Sequence, residues 1–393
     1  MMFGKGDETA SQGASLTWLP LLEVEAYGSR MFGGTEIIQL DPGRPDLAAI
    51  RRAAEVIRAG GLVAFPTETV YGLGADGLSA RAVERIFTAK GRPQDNPLIL
   101  HVAAPEDARR VVLGVPPSAK TLMERFWPGP LTLVLPKRPE VPDEVSAGLA
   151  TVGVRMPDNT IALTLIAESG VPIAAPSANA SGRPSPTSAD HVIADLAGRI
   201  EMILDGGPTS VGVESTVVDM TSNPPTVLRP GGVTVEELRE VLGVVDVAAA
   251  DSVAAPTKGP VPSPGMKYTH YAPKTPVVLV EGDTGAVVRR ILREIGMRRA
   301  AGEKVGVMCS RETEEMYAGR ADAVRAVGSR RDLATVAAAL FATLRLFDTD
   351  GVDVVFAEGF DQRGLGFAIM NRLRRASGAR IIHVRPEPDA GAT

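Results

Sequence analysis

Cysteine is almost missing: Cys309 is the only one in 393 residues. A disulfide within the chain and a cysteine-built zinc site are thereby excluded. Histidine is scarce too, with only His101, His191, His270 and His383, and no His/Glu pair has a metal-ligand spacing. His191 and His383 read as structural or surface residues. No apolar run approaches the ~20 residues of a membrane span. The first residues are polar and Gly-rich, without the charged-then-apolar order of a signal peptide, and a reducing cytoplasm is the expected location. A basic excess is also absent. The net charge of −5 argues against a surface coated for nucleic acid, although a local basic pocket stays open. There is no Walker-type phosphate loop and no nucleophile elbow, so an ATP site here must be of another kind.

What is present fits a globular protein with cores for two domains: 44% hydrophobic and 23% charged residues, with 31 prolines and 41 glycines that give loops weight. Residues 1–34 lack periodicity and are expected to form a poorly ordered extension. From Thr35 to residue 243 helices and strands alternate irregularly. Helices are expected at 45–60 (Leu47, Ile50, Ala54 and Ile57 on one face), from a Ser79 cap to Gly91, and near 117–126, 160–168 and 188–197. Strands are expected at 62–65, 98–102, 131–135, 152–155, 172–175, 201–204 and 215–219. The pattern predicts a twisted mixed α/β sheet. Residues 244–276 are rich in Pro, Ala and Ser, and read as a linker or functional lid. Over 277–386 a regular βα alternation predicts a smaller Rossmann-like domain with a parallel sheet.

Gly72-Leu73-Gly74-Ala75-Asp76-Gly77 matches a dinucleotide fingerprint, with Asp95 downstream as its acidic partner. Six residues separate the preceding strand from the first Gly, and the helix starts only after the third. A Gly-rich turn is therefore the expectation. The preceding loop, Pro66-Thr67-Glu68-Thr69-Val70-Tyr71, concentrates hydroxyls, a carboxylate and a phenol where α/β folds bind ligands. Lys90-Gly91-Arg92-Pro93-Gln94-Asp95-Asn96-Pro97 sets two cations in a proline-stiffened loop, which suits polyphosphate; favourable charge at a helix end is the plainer reading. The segment 174–187 is dense in hydroxyl and amide groups, Ser177, Asn179 and Ser185 among them. Glu214-Ser215-Thr216 and Leu228-Arg229-Pro230-Gly231 read alone as an ordinary strand and a surface charge.

Taken in order, these pieces resemble the YrdC-type threonylcarbamoyl-AMP synthases over Thr35 to Leu242, with the linker and second domain matching the long two-domain form. The most specific signature is K-x-R followed by S-x-N: Lys90, Arg92, Ser177 and Asn179. The resemblance implies a concave basic cavity and the formation of threonylcarbamoyl-AMP from L-threonine, bicarbonate and ATP. Other enzymes then pass the threonylcarbamoyl group to adenosine 37 of tRNA. It assigns Lys90, Arg92, Ser177 and Asn179 to catalysis. ATP is assigned to those four with Asn96, Thr151, Ser185, Arg229 and Tyr271. Threonine is assigned to Thr69, His101, Arg155, Ala175 and Ser215, with Arg155 as the carboxylate fork. Mg²⁺ is expected to ride on the ATP phosphates. The end of the linker, with Tyr268, His270 and Tyr271, is expected to close over the site. In the second domain, 358–366 reads as a polar strand-to-helix loop and Arg372, Arg374 and Arg375 as a solvated face, a weak tRNA contact being the sharper alternative.

Three rivals remain at this point. A ribosome-assembly or translation factor would hold RNA in the same basic cavity. A carbamoyl-transfer enzyme of hydrogenase maturation would carry Cys-rich zinc modules, which a single cysteine cannot build. An NAD-dependent oxidoreductase would need the weak GLGADG match.

Overall fold

The computed structural model describes residues 28–248, 271–378 and 380–385. In chain order the first half contains β1 (Ser29–Phe32), β2 (Thr35–Gln39), α1 (Leu47–Arg58), β3 (Val63–Phe65), β4 (Gly72–Asp76), α2 (Ala80–Lys90), β5 (Ile99–His101), α3 (Pro117–Phe126), β6 (Leu131–Pro136), α4 (Asp143–Ser146), β7 (Thr151–Arg155), α5 (Thr160–Ser169), β8 (Ile173–Ala174), α6 (Ala189–Leu196), β9 (Met202–Asp205), β10 (Thr216–Asp219), β11 (Thr226–Arg229), α7 (Val235–Leu242) and β12 (Asp246–Val247). The second half contains β13 (Val277–Glu281), α8 (Thr284–Ala300), β14 (Val305–Cys309), α9 (Glu314–Tyr317), β15 (Ala323–Ala326), α10 (Leu333–Asp350), β16 (Val354–Glu358), α11 (Leu365–Ser377) and β17 (Ile381–His383).

Local chemistry explains the boundaries. Asp46 accepts from the Ala48 amide and starts α1, which buries Ala49, Ile50, Ala53, Ala54 and Ile57. Leu47, expected on that face, lies in the first turn and stays 42% exposed. Ser79 caps α2 through the Ala82 amide, and Gly91 ends it at φ 61°, ψ 38°, a left-handed conformation that suits glycine. Strand β6 is buried at its first five residues and so reads as a continuous apolar run.

The first sheet has 12 strands in the order β1-β2-β9-β3-β4-β8-β5-β7-β6-β10-β11-β12. It is mixed: β3–β4, β4–β8 and β8–β5 are antiparallel, while β5–β7 and β6–β10 are parallel. The second sheet has five strands, β15-β14-β16-β13-β17, and every pairing is parallel. Both sheets match the expected fold class.

Two expectations need correction. Order does not begin at Thr35: Ser29–Phe32 pairs antiparallel with Thr35–Ile38. All four residues of β1 are exposed, so no apolar periodicity announces the strand. Gly72–Asp76 is a strand rather than a turn, paired with β3 and β8. Its glycines serve close approach: a Cβ on Gly74 would lie 2.8 Å from both Ile173 Cγ2 and Phe65 Cε1.

The two halves share a core. Val70, Val213 and Tyr271 lie in one apolar cluster with Phe341, Leu344, Ile369 and Leu373 of the second half. At the seam Gly212 has φ +77°, and a Cβ there would come within 2.4 Å of Ala337 O and Ala338 Cα. Of the expected 244–276 linker, Asp246–Val247 still belongs to the first sheet, and residues 249–270, with Tyr268 and His270, lie outside the described residues. Among the described residues no helix is long and apolar enough to cross a membrane.

Candidate active site

One cavity, with an empty volume of about 740 Å³ including its mouth, gathers residues from across the first sheet and from the start of the second half. Its lining includes Lys90, Arg92, Ser177, Asn179, Ser185, Arg229 and Tyr271, and also Thr69, His101, Arg155, Ala175 and Ser215. Twelve of the fourteen residues expected at the site therefore meet. Asn96 and Thr151 do not line the cavity. Asn96 is fully buried and offers its carbonyl to Arg92, whose Nη2 lies 3.2 Å away. Thr151 opens β7, pairs with Pro136, and borders a separate small cavity beside Val152.

The loop between β3 and β4 is pinned before any ligand arrives. Thr67 Oγ1 donates to Val70 O at 2.7 Å and lies 2.8 Å from Thr69 Oγ1. The Val211 and Gly212 amides donate to Glu68 O and Thr69 O. On β5, Ile99 and His101 are two residues apart and so share the sheet face that lines the cavity.

Lys90 is the last residue of α2, and the left-handed Gly91 turns the chain so that Arg92 reaches the same cavity. The Lys90 ammonium donates to Ser177 O and Asn179 O, both at 2.5 Å. In return the Ser181 amide donates to Lys90 O. The K-x-R and S-x-N signatures are thus two halves of one structure. Ser177 Oγ donates to Asn179 Oδ1 at 2.5 Å, and Asn179 Nδ2 donates to Ala180 O and Arg183 O. Burial, then the neighbouring Arg92, pulls the Lys90 pKa well below its ordinary value. The two accepting carbonyls work the other way, because they favour the charged ammonium.

Arg155 ends β7 and is buried. Its Nη2 lies 2.7 Å from Glu68 Oε2, at an angle too poor for a hydrogen bond, and its Nε donates to Gly129 O at 3.3 Å. An internal carboxylate, that of Glu68, already faces Arg155, the residue expected to fork the threonine carboxylate. Ser215 Oγ lies 2.8 Å from Thr132 Oγ1, and Arg229 Nη2 donates to Ser215 O and Oγ. Arg229, read alone as a surface charge, is buried.

His101 Nδ1 lies 3.2 Å from Ile99 O, which can only accept, so the proton of the neutral ring belongs on Nδ1. Burial and the nearby Arg155 push the His101 pKa down to about 3. The unfolded chain therefore takes up this proton first. The stability that His101 contributes is complete above about pH 6.5 and is lost as the pH falls toward 3. We expect the His101 ring nitrogens to show no titration from pH 8 to 5 by NMR; a midpoint near neutrality would contradict the buried neutral ring.

Some lining residues had been read only as parts of longer segments, without a role at the site: Glu214, Ser181 and Gly182. Ser185 Oγ donates to Glu214 Oε1 at 2.5 Å. Burial would raise the Glu214 carboxyl, but Arg372 and then Arg229 outweigh it and hold the pKa below the usual value. Arg372 overturns the solvated-face reading. It is fully buried on α11, and its Nε donates to Glu214 Oε2 at 2.8 Å. Arg374 pairs with Glu281 at 2.8 Å. Adjacency to Ser215 was the one sequence signal for Glu214; its partner lies 158 residues away.

Four cations, Lys90, Arg92, Arg155 and Arg229, with hydroxyls and amides between them, make a pocket for anions. Among the described residues no group of three or more His, Cys, Asp or Glu side chains could hold a metal ion. Both nearby carboxylates, Glu68 and Glu214, face arginines. A divalent ion would therefore depend on oxygens that a substrate brings. Cys309 is buried in the second half, with its thiol pushed up to about 12 chiefly by burial, and takes no part.

Comparison with known proteins supplies the family. The profile of the Sua5–YciO–YrdC family, described as telomere recombination, matches residues 55–231. A second profile, described as threonylcarbamoyl-AMP synthase, C-terminal domain, matches residues 233–378. A threonylcarbamoyl-AMP synthase of Pyrococcus abyssi is 52% identical over 85% of this chain and 96% of its own length. One from Bacillus subtilis is 50% identical over 85% of this chain and 94% of its own. The crystal structure of P. abyssi Sua5 complexed with L-threonine superposes with a TM-score of 0.84 at 51% identity, covering 88% of this chain and 99% of that one. With two such relatives matched over nearly their whole length, and both halves matched by profiles, the chain belongs to the threonylcarbamoyl-AMP synthase family.

Proposed function

We propose that this chain forms threonylcarbamoyl-AMP and pyrophosphate from L-threonine, bicarbonate or CO₂, and ATP, and that the single cavity holds all three reactants. The product feeds threonylcarbamoyl modification of tRNA adenosine 37 by other enzymes. The observation that carries the reading is the locking of Lys90 into the Ser177–Asn179 loop beside Arg92, inside one enclosed basic hollow.

In this reading Lys90, Arg92, Ser177, Asn179, Ser185, Arg229 and Tyr271 bind ATP. Thr69, His101, Arg155, Ala175 and Ser215 bind threonine. Asn96 acts through its backbone, by holding Arg92. The threonine ammonium and bicarbonate give the carbamate, with release of water and a proton. A carbamate oxygen then attacks the α-phosphorus of ATP, the P–O bond to the β-phosphate breaks, and pyrophosphate leaves with its electron pair. Charge builds on the phosphoryl oxygens during this displacement, so fixed cations and N–H donors supply most of the catalysis. Mg²⁺ would be held by the ATP phosphates, where it would offset part of their charge. The neutral His101 ring gives orientation without adding a titrating charge. A site walled by both halves also shields a carbamate that water would destroy.

The test is pyrophosphate release with each reactant omitted in turn. Release is expected only when threonine, bicarbonate and ATP are all present. No release with the full set, together with salt-sensitive RNA binding, would favour the ribosome-factor reading instead.

A further inference from the structure

The cavity's nucleotide side carries a carboxylate that looks misplaced. Glu214 lines the pocket, is 5% exposed, and points one oxygen at Ser185. A bare carboxylate there would repel a triphosphate. Its other oxygen accepts a hydrogen bond from Arg372 Nε at 2.8 Å. Arg372 comes from α11 of the second half and is fully buried. The same guanidinium donates through Nη1 to Pro230 O, one residue after Arg229, and to Asn371 Oδ1. It also lies 5.5 Å over the ring of Tyr271, which stacks on Phe341 at 5.1 Å. One side chain of the second half thus touches three walls of the site: Glu214, the 228–231 loop and Tyr271.

We infer that Arg372 is a positioning residue for nucleotide binding: its buried guanidinium neutralises Glu214 and fixes the Ser185, Arg229 and Tyr271 walls, so the second domain completes the ATP side of the cavity. This rests on the ATP reading given above. The electrostatics are simple. With Arg372 present, the Glu214 carboxylate is matched and the pocket keeps its positive excess. Without it, an unmatched anion faces the phosphates in a site of low dielectric, where charge pairs count for more than in water. The other charged or titratable groups facing Glu214 are Arg229 on β11, Arg375 on α11 and the phenol of Tyr271. A role confined to stability would lower the melting temperature and leave the folded enzyme's affinity for ATP unchanged, whereas this one changes the affinity.

The experiment measures the ATP dissociation constant and the KM for ATP in wild type, Arg372→Met, Arg372→Lys and the double variant R372M/E214Q, with a thermal melt for each. Arg325→Met serves as a control for general destabilisation, since its ion pair with Asp350 is internal to the second half. Arg372→Met is expected to weaken ATP at least tenfold. The double variant should return to within about threefold of wild type, and Arg372→Lys, which keeps the charge, should lose far less than Arg372→Met. ATP binding by Arg372→Met equal to wild type overturns the proposal, as does a double variant no better than the single. If Arg372→Met does not fold, the decision passes to Arg372→Lys and the double variant: weak ATP binding in both overturns it. Failure of the wild type itself to bind ATP would instead strike the proposed function.

Discussion

Alanine at Lys90 or at Arg92 is expected to lower the rate of pyrophosphate release by about 10²- to 10³-fold, the loss seen when one preorganised donor to developing charge is removed. The two variants should fail differently. Arg92→Ala removes a cavity cation whose guanidinium also donates to Asn96 O and Pro97 O. Lys90→Ala removes a cation and also releases Ser177 O and Asn179 O, the two carbonyls that fix that loop. Each variant should therefore cost stability as well as turnover, because buried carbonyls lose their donor in both, at 96–97 in one and at 177–179 in the other. Far-ultraviolet circular dichroism and a urea titration beside the rate assay separate the two effects. Wild-type turnover in both variants would remove the phosphate site.

Arg155→Ala carries the largest expected loss of stability. Arg155 is buried against Glu68, and the side chains are only 5% and 7% exposed. Removing the cation strands a carboxylate in the interior, and breaking such a pair costs about 3–5 kcal/mol. Threonine binding should disappear in the same variant. The double variant R155A/E68Q restores much of the stability but not the threonine affinity, since the stranded charge is gone while the cation is still missing. A urea midpoint for Arg155→Ala equal to wild type would mean that the pair contributes nothing.

The sequence exposed those features that short-range chemistry controls. The Ser79 cap and the Gly91 stop framed α2, and the period-3.6 stripes and apolar runs placed most helices and both sheets. The regular βα alternation after residue 276 gave a parallel sheet because such connections leave little else. Apart from the exposed β1, which pairs with its immediate neighbour in the chain, the failures share one cause, dependence on contacts far along the chain. Gly72–Asp76 looked like a turn, because glycine signals loops locally; its neighbours Ile173 and Phe65, which demand the missing Cβ, come from elsewhere in the chain. Arg372 looked solvated because its polar neighbours suggest an exposed face, and Glu214 is invisible from that position. The site was legible through motif order, which identified Lys90, Arg92, Ser177 and Asn179 together. The internal Arg155–Glu68 pair was not, since a motif names residues without saying which of them satisfy one another.

Tyr271 belongs to the cavity wall and also to the apolar cluster of the second half, with Val70 and Val213 beside it. Neither half can come apart without exposing part of the other's interior. Denaturation is then expected to be a single cooperative event rather than two, and a nucleotide held at the seam should protect secondary structure in both halves.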